Sequence, residues 1–438
     1  MSPDVRGNSL RKITLTNLFN MKFKLPKALL AAMLVSSAAY AAAVTEVVES
    51  TTTSLNVYTT ETTGSTYTAT AEQKPSGSSY GMRFKKNLVA TNSTFTTADG
   101  YNPFANGKTG NVAPSGSMWF DGNVEATNCK FIASDYSSGS IKFVAGKKVA
   151  LKGGNTFQSR SGQNINFLGT VTAEGDNEFI GGISAVDFVV KSGTQKFTRE
   201  DNPSNYVNSP SQALSFTHIG FADDADETAR IDISAVDVPT RTVDGYSKGG
   251  AFGAVRFGNS NNEITSLEVK TNLGLYINGA LTVRETVTIG SDTQVNFGEN
   301  GVLIFEIDSI YELMERPSAQ MMLTGDADTM LNVADGVDMS NAKVELLFTE
   351  NAVAELSAIE GPVTLNLNKV TNLENIELSL AVEESLGKTS EEVFGTTSVT
   401  TGAAGSDENL FTITVPEPTT ATLSLLALAS LAMRRRRK

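Results

Sequence analysis

The sequence predicts an all-β protein: an elongated parallel β-solenoid (β-helix) with a C-terminal α+β capping region and a short C-terminal hydrophobic helix. Three observations predict it. First, four segments repeat Val, then Ala, then an Asn two or three places before a Phe: VATNSTF ending at Phe95, VEATNCKF at Phe131, VALKGGNTF at Phe157 and VTAEGDNEF at Phe179. Each follows a second apolar step, MRF at Phe84, MWF at Phe120, IKF at Phe143 and INF at Phe167; a fifth, VDF at Phe188, precedes a degraded copy, GTQKF, ending at Phe197. Second, the leading Phe residues step by 36, 23, 24 and 21 positions, and a period near 20–25 residues with polar turns marks a solenoid. Third, apolar residues make up 40% and charged residues 19% of the 438, with 37 Gly and 22 Phe. Both fractions fall below the ~45–50% and ~25% of globular chains, a shift towards strands joined by polar turns.

The elements follow in order. Residues 1–20 lack export character and read as an extension ahead of a start at Met21. Residues 21–43 read as a signal peptide: Lys22, Lys24 and Lys27 precede an apolar stretch from Ala28 to Ala39, and Ala39 and Ala41 fit the small-x-small cleavage rule. The stretch is shorter than the ~20 residues of a membrane span. Residues 44–80 are Thr-rich, with Leu55, Val57 and Tyr67 spaced for edge strands that cap the front.

Residues 81–200 carry the solenoid repeats. One turn cannot bury its own apolar face, so turns must stack at ~4.8 Å. Phe120, Phe143 and Phe167 are expected in register, as are Phe131, Phe157 and Phe179. Asn at a turn tolerates left-handed backbone and can pair with the Asn above. An insert rich in Gly, Asn and Pro, residues 96–117, accounts for the first step of 36. Residues 201–253 read as an irregular acidic insert on the solenoid flank, with Asp223, Asp224, Asp226 and Glu227. Residues 254–310 resume the solenoid, with alternation at Leu273, Leu275, Ile277; Leu281, Val283; Val287, Ile289; and Val302, Ile304.

Residues 311–400 read as the capping region: a helical turn at 309–315, a helix at 349–359, and strands at 344–348, 363–367 and 376–382. A cap is needed because an exposed strand edge invites aggregation. Residues 401–414 form a linker, and residues 415–438 a tail in three parts. Val415-Pro416-Glu417-Pro418 is followed by a Leu- and Ala-rich stretch to Met433, then by Arg434, Arg435, Arg436, Arg437 and Lys438. At 1.5 Å per residue the stretch is short for a permanent span, and the five cations act as a cytoplasmic stop.

This tail resembles the PEP-CTERM sorting signals of exported bacterial surface proteins, a region that also carries the label "ice-binding protein C-terminal". The resemblance implies that Pro416, Glu417 and Pro418 are a processing signal for an exosortase-type membrane protease. It further implies a transient inner-membrane anchor, then a place at the cell surface, in the outer envelope or outside the cell. The repeats resemble the β-solenoid passengers of autotransporter-like and adhesin-type surface proteins, which implies a surface stalk rather than a reaction.

Composition excludes much chemistry. A single His and a single Cys cannot build a Cys/His metal site or an internal disulfide. Between Ala42 and Val415, 24 basic residues face 46 acidic ones, a net charge of −22, which repels nucleic acid and favours solubility outside the cell. Carboxylate-only chemistry survives. Its candidates are Asp232, Asp237 and Asp244, whose spacing sets no catalytic pair. His218 has no acid or nucleophile partner in the sequence. The runs at 222–226 and 325–328 lack the full spacing of a calcium loop. The expectation is therefore no catalytic, cofactor-binding or metal site and no cofactor. It describes a non-enzymatic exported surface or matrix protein, with surface polysaccharide or other envelope proteins as further partners. The alternative is a polysaccharide-cleaving solenoid enzyme bearing the same tail.

Overall fold

The computed structural model divides the chain into two units, residues 1–44 and 45–438. It describes residues 55–69, 80–97, 117–133, 140–159, 164–199, 213–238, 255–271, 274–291, 293–308, 314–316, 320–322, 331–334, 336–357, 362–366, 377–394, 397–400 and 410–414. The first unit, with the extension at 1–20, the signal peptide and Ala39 and Ala41, lies outside the described residues.

Most described strands of the second unit form a succession of parallel turns that pass through three ladders. The first ladder holds ten strands, from Leu55–Val57 and Tyr80–Phe84 to Leu275–Ile277 and Val295–Phe297, all paired in parallel. The second begins with Glu61–Thr63, Leu88–Thr91 and Val124–Thr127. The third begins with Thr66–Ala69, Thr94–Thr97 and Lys130–Ala133. Along most of these strands buried and outward residues alternate, because period-2 side chains can place only one set inside.

The core is a pair of aromatic columns. On the first ladder Phe84, Phe120, Phe143 and Phe167 stack ring on ring at 4.8 Å. On the third, Tyr67, Phe95, Phe131, Phe157, Phe179 and Phe197 stack at 4.4–5.3 Å. The two columns meet edge to face. Each such contact adds about 0.5–1.5 kcal/mol beyond the area it buries. Both expected Phe sets are in register.

Phe188 is not the fifth member of the first column. Phe167 pairs with Ala185, and Phe188 pairs with Val171 on the second ladder. The strand Ile165–Glu174 runs through two ladders with a register shift between Phe167 and Thr170. A Phe 21 residues on therefore lands one ladder over. Its ring fills the space above Phe167 edge-on, 5.3 Å from both Phe179 and Phe197.

The recurrent Asn also has two meanings. Asn92 and Asn128 occupy the left-handed region at φ 52, and Asn128 Nδ2 donates to Asn92 Oδ1 at 2.6 Å. Asn155 and Asn177 lie one position later, buried inside, where they continue a column begun by Cys129 and ended by Gln195. The turn above is tight. Gly193 has φ +66, and a Cβ there would meet the Gly175 carbonyl carbon at 2.4 Å.

The described strands add detail to the expected segments. Leu55–Val57, Glu61–Thr63 and Thr66–Ala69 each pair in parallel with the next strand of their ladder and so supply the first turn. Residues 201–253 are not an irregular insert as a whole: Leu214–Phe221 and Arg230–Val238 form a full turn, because Leu214, Phe216, Ile219, Ile231 and Ile233 point inward and the acidic run is confined to the bend between them. Within residues 311–400, Leu331–Val333, Lys343–Phe348 and Glu377–Val382 pair in parallel with the solenoid sheet, while Met314–Arg316, Gln320–Met322, Pro362–Asn366 and Thr397–Thr400 belong to a separate five-stranded sheet. The helix α1, Glu350–Ser357, buries Ala352, Val353 and Leu356, and α2, Ser390–Phe394, seats Phe394 on Phe348 at 4.8 Å. Within the expected helical turn at 309–315, the described end begins the strand Met314–Arg316. In the expected linker, Leu410–Thr414 is a strand between Pro362–Asn366 and Thr397–Thr400 in a five-stranded sheet.

Candidate functional site

The strand Leu410–Thr414 is the last described element. Its pairing with two neighbours anchors the backbone immediately ahead of Val415. The sequence-derived site residues beyond it, Pro416, Glu417, Pro418 and Arg434, Arg435, Arg436, Arg437 and Lys438, lie outside the described residues. Among the described residues no helix is long and apolar enough to cross a membrane.

Asp232 accepts hydrogen bonds from Ser266 Oγ at 2.8 Å and Arg230 at 3.4 Å. Asp237 contributes backbone to the strand Arg230–Val238, and Asp244 lies outside the described residues. In the run at 222–226, Asp224 pairs with Lys191 Nζ at 2.7 Å, and Asp226 accepts from the backbone and hydroxyl of Thr228. Among the described residues no group of three His, Cys, Asp or Glu could hold a metal ion. The run at 325–328 lies outside them. Cys129 is buried, and burial pushes its thiol up, away from the thiolate a nucleophile needs.

His218 does have an acid partner. Asp187 and His218 are opposite each other on adjacent turns, with His218 Nδ1 2.7 Å from Asp187 Oδ1. Both side chains are about one-third exposed. The partner was invisible in the sequence because the two residues are 31 positions apart and become neighbours only through the register.

The outward side of the first ladder forms the most distinctive surface. Register places Arg83, Trp119, Lys142 and Asn166 on consecutive turns, followed by Ser184, Ser215, Arg256 and Tyr276. Arg83 and Lys142 approach the Trp119 ring from both sides, at 5.3 and 5.2 Å from its centroid. Arg256 lies 5.4 Å from the Tyr276 ring centroid. At the adjacent corner Asp121 receives Arg83 Nε at 2.7 Å and Lys85 Nζ at 3.0 Å. Burial opposes its ionisation, but these two hydrogen bonds and charges outweigh it and hold the carboxyl below its ordinary range. The signal for this column was present in the sequence as the middle letter of each MRF, MWF, IKF and INF step, where the Phe drew the attention.

Residues 414–438 match the model of the PEP-CTERM protein-sorting motif. No curated protein and no solved structure matches the chain. PEP-CTERM signals are processed by exosortase, a membrane protease, so the chain carries the mark of an exported, envelope-processed protein.

Proposed function

We propose that the chain is a non-enzymatic cell-surface or extracellular-matrix protein, a solenoid delivered and released at the envelope through its C-terminal tail. One observation carries the reading. A parallel β-solenoid, whose ladders need no ligand to close, leads into a sheet strand at Leu410–Thr414, and the sorting motif begins where that strand ends. The tail supplies delivery and the solenoid supplies the delivered body. The alternative, a polysaccharide-cleaving enzyme, needs an acid and a second carboxylate flanking one bond. Asp232, Asp224 and Asp226 each serve a neighbouring side chain or turn instead.

Intact-mass measurement on protein recovered from the envelope tests this. The mature species is expected to begin near Ala42 and to lack Met433 with the five cations after it. If all surface-exposed protein retains the Arg434–Lys438 tail, the chain is a plain tail-anchored protein and the release step is wrong.

A further inference from the structure

We infer that the outward side of the first ladder is a docking surface for an acidic, uronate-type polysaccharide; the inference rests on the surface-protein reading above and names its partner. The exported part of the chain carries a net charge of −22, yet on this ladder eight consecutive turns place three cations outward and no carboxylate. At its edge among the described residues, Asp121 is engaged by Arg83 and Lys85 together, so this corner remains net positive.

The arrangement suits a linear polymer. Two clusters, each a cation against an aromatic ring, stand at Trp119 with Lys142 and at Tyr276 with Arg256. The two rings are six turns apart, roughly 29 Å at the ~4.8 Å strand spacing. Between them the ladder offers only Asn166, Ser184 and Ser215, short neutral side chains that leave a low floor able to donate and accept hydrogen bonds. Neutral Asn166, Ser184 and Ser215 can hydrogen-bond sugar hydroxyls, and Arg83, Lys142 and Arg256, held against the two rings, pair with carboxylates. The sparse charge of a uronate polymer fits better than a nucleic acid, whose dense phosphates the acidic remainder of the protein would repel.

The test is binding of the full chain to immobilised sodium alginate, with dextran as a neutral polymer and poly-L-glutamate as an acidic polymer without sugar rings. Alginate alone should be retained. Lys142→Glu and Arg256→Glu should each weaken retention by about tenfold or more, and Trp119→Ala by a similar factor. Lys196→Glu, an equal charge change on the outward side of the third ladder, should leave it unchanged. Lys142→Gln should give a partial loss and serves if the reversal disturbs folding.

Equal retention of dextran or poly-L-glutamate, or equal weakening by Lys196→Glu, overturns the docking surface. So does concentration-dependent self-association that Lys142→Glu abolishes without any alginate retention, since the occupant is then a second copy. Those results leave the sorting reading standing. Retention accompanied by new reducing ends keeps the surface but overturns the non-enzymatic reading.

Discussion

Asn155 donates from its Nδ2 to the Oδ1 of Asn177 at 2.8 Å, across one turn of the solenoid and inside the core. Asn177 in turn donates to Gln195 Oε1 at 2.9 Å and to the backbone carbonyls of Glu174 and Gly175. The column satisfies its own members and the backbone of the bends that hold it.

Replacing Asn177 by Leu is therefore expected to destabilise the protein although it adds apolar surface. The change leaves the Asn155 backbone N–H and the Gln195 side-chain oxygen without their Asn177 partner in a buried site, while Asn155 Nδ2 keeps the carbonyls of Ala126 and Gly153. An unpaired buried polar group costs about 1–3 kcal/mol. Chemical denaturation of the two proteins reads the difference. A Leu variant as stable as the parent would show that the column is dispensable.

Phe143→Ala is expected to cost roughly 3–5 kcal/mol, the range for emptying a buried aromatic site. Its ring touches Phe120, Phe131, Phe157 and Phe167, so four neighbours lose packing at once. Val89→Ala, on an outward position 43% exposed, should change stability by less than about 0.5 kcal/mol. The comparison is read in the same denaturation experiment, and similar losses for both would contradict the column as the main source of stability.

These packing relations show how far the sequence could be read. The Phe and Val period was legible because burial repeats every turn while turns stay equal in length. It failed at Phe188, where one strand crosses two ladders without a break, so spacing alone could not tell a turn from a ladder. It failed again across 201–253, because the acidic bend at 223–227 masks inward Leu214, Phe216, Ile231 and Ile233 on either side. The sorting tail was legible because its three parts are contiguous. The Asp187–His218 pair was not, since the two outward side chains meet only across turns, and the Arg83–Trp119–Lys142 column was present only as the middle letters of the Phe steps, where burial imposes no period.

Two carboxyl groups should give opposite pH dependences. Asp121 is held below its ordinary range by Arg83 and Lys85 against the opposing effect of burial. Its contribution is present above the ordinary carboxylate range and is lost as pH falls through the depressed value. Glu306 is pushed up, chiefly by burial and then by Glu263, Asp308 and Glu383, with Arg284 opposing. The folded state prefers it protonated, so its ionisation costs stability as pH rises from the ordinary value through the raised one. Asp121→Asn should thus lose stability at neutral pH, with the gap closing in acid. Glu306→Gln should gain stability at neutral pH, with that gap also closing in acid. Melting temperatures measured from acid to neutral pH check both, and a Glu306→Gln protein less stable than its parent at neutral pH would refute the second.

Replacing Pro416 and Pro418 together by Ala is expected to block processing and retain the precursor in the inner membrane. Proline restricts φ to near −65° and lacks an N–H donor, so the Pro-Glu-Pro sequence differs chemically from Ala-Glu-Ala in a way that a protease can read. Ala at both positions removes that difference and leaves the sequence of the apolar segment after Thr419 and the five cations unchanged, so membrane engagement is preserved. The strand Leu410–Thr414 stays paired with Pro362–Asn366 and Thr397–Thr400, so the solenoid body is unchanged. Cell fractionation with intact-mass analysis distinguishes the outcomes: full-length precursor accumulating in the inner membrane supports recognition of the Pro-Glu-Pro sequence, whereas normal release of the double variant would mean that the protease reads the apolar segment and its basic tail instead.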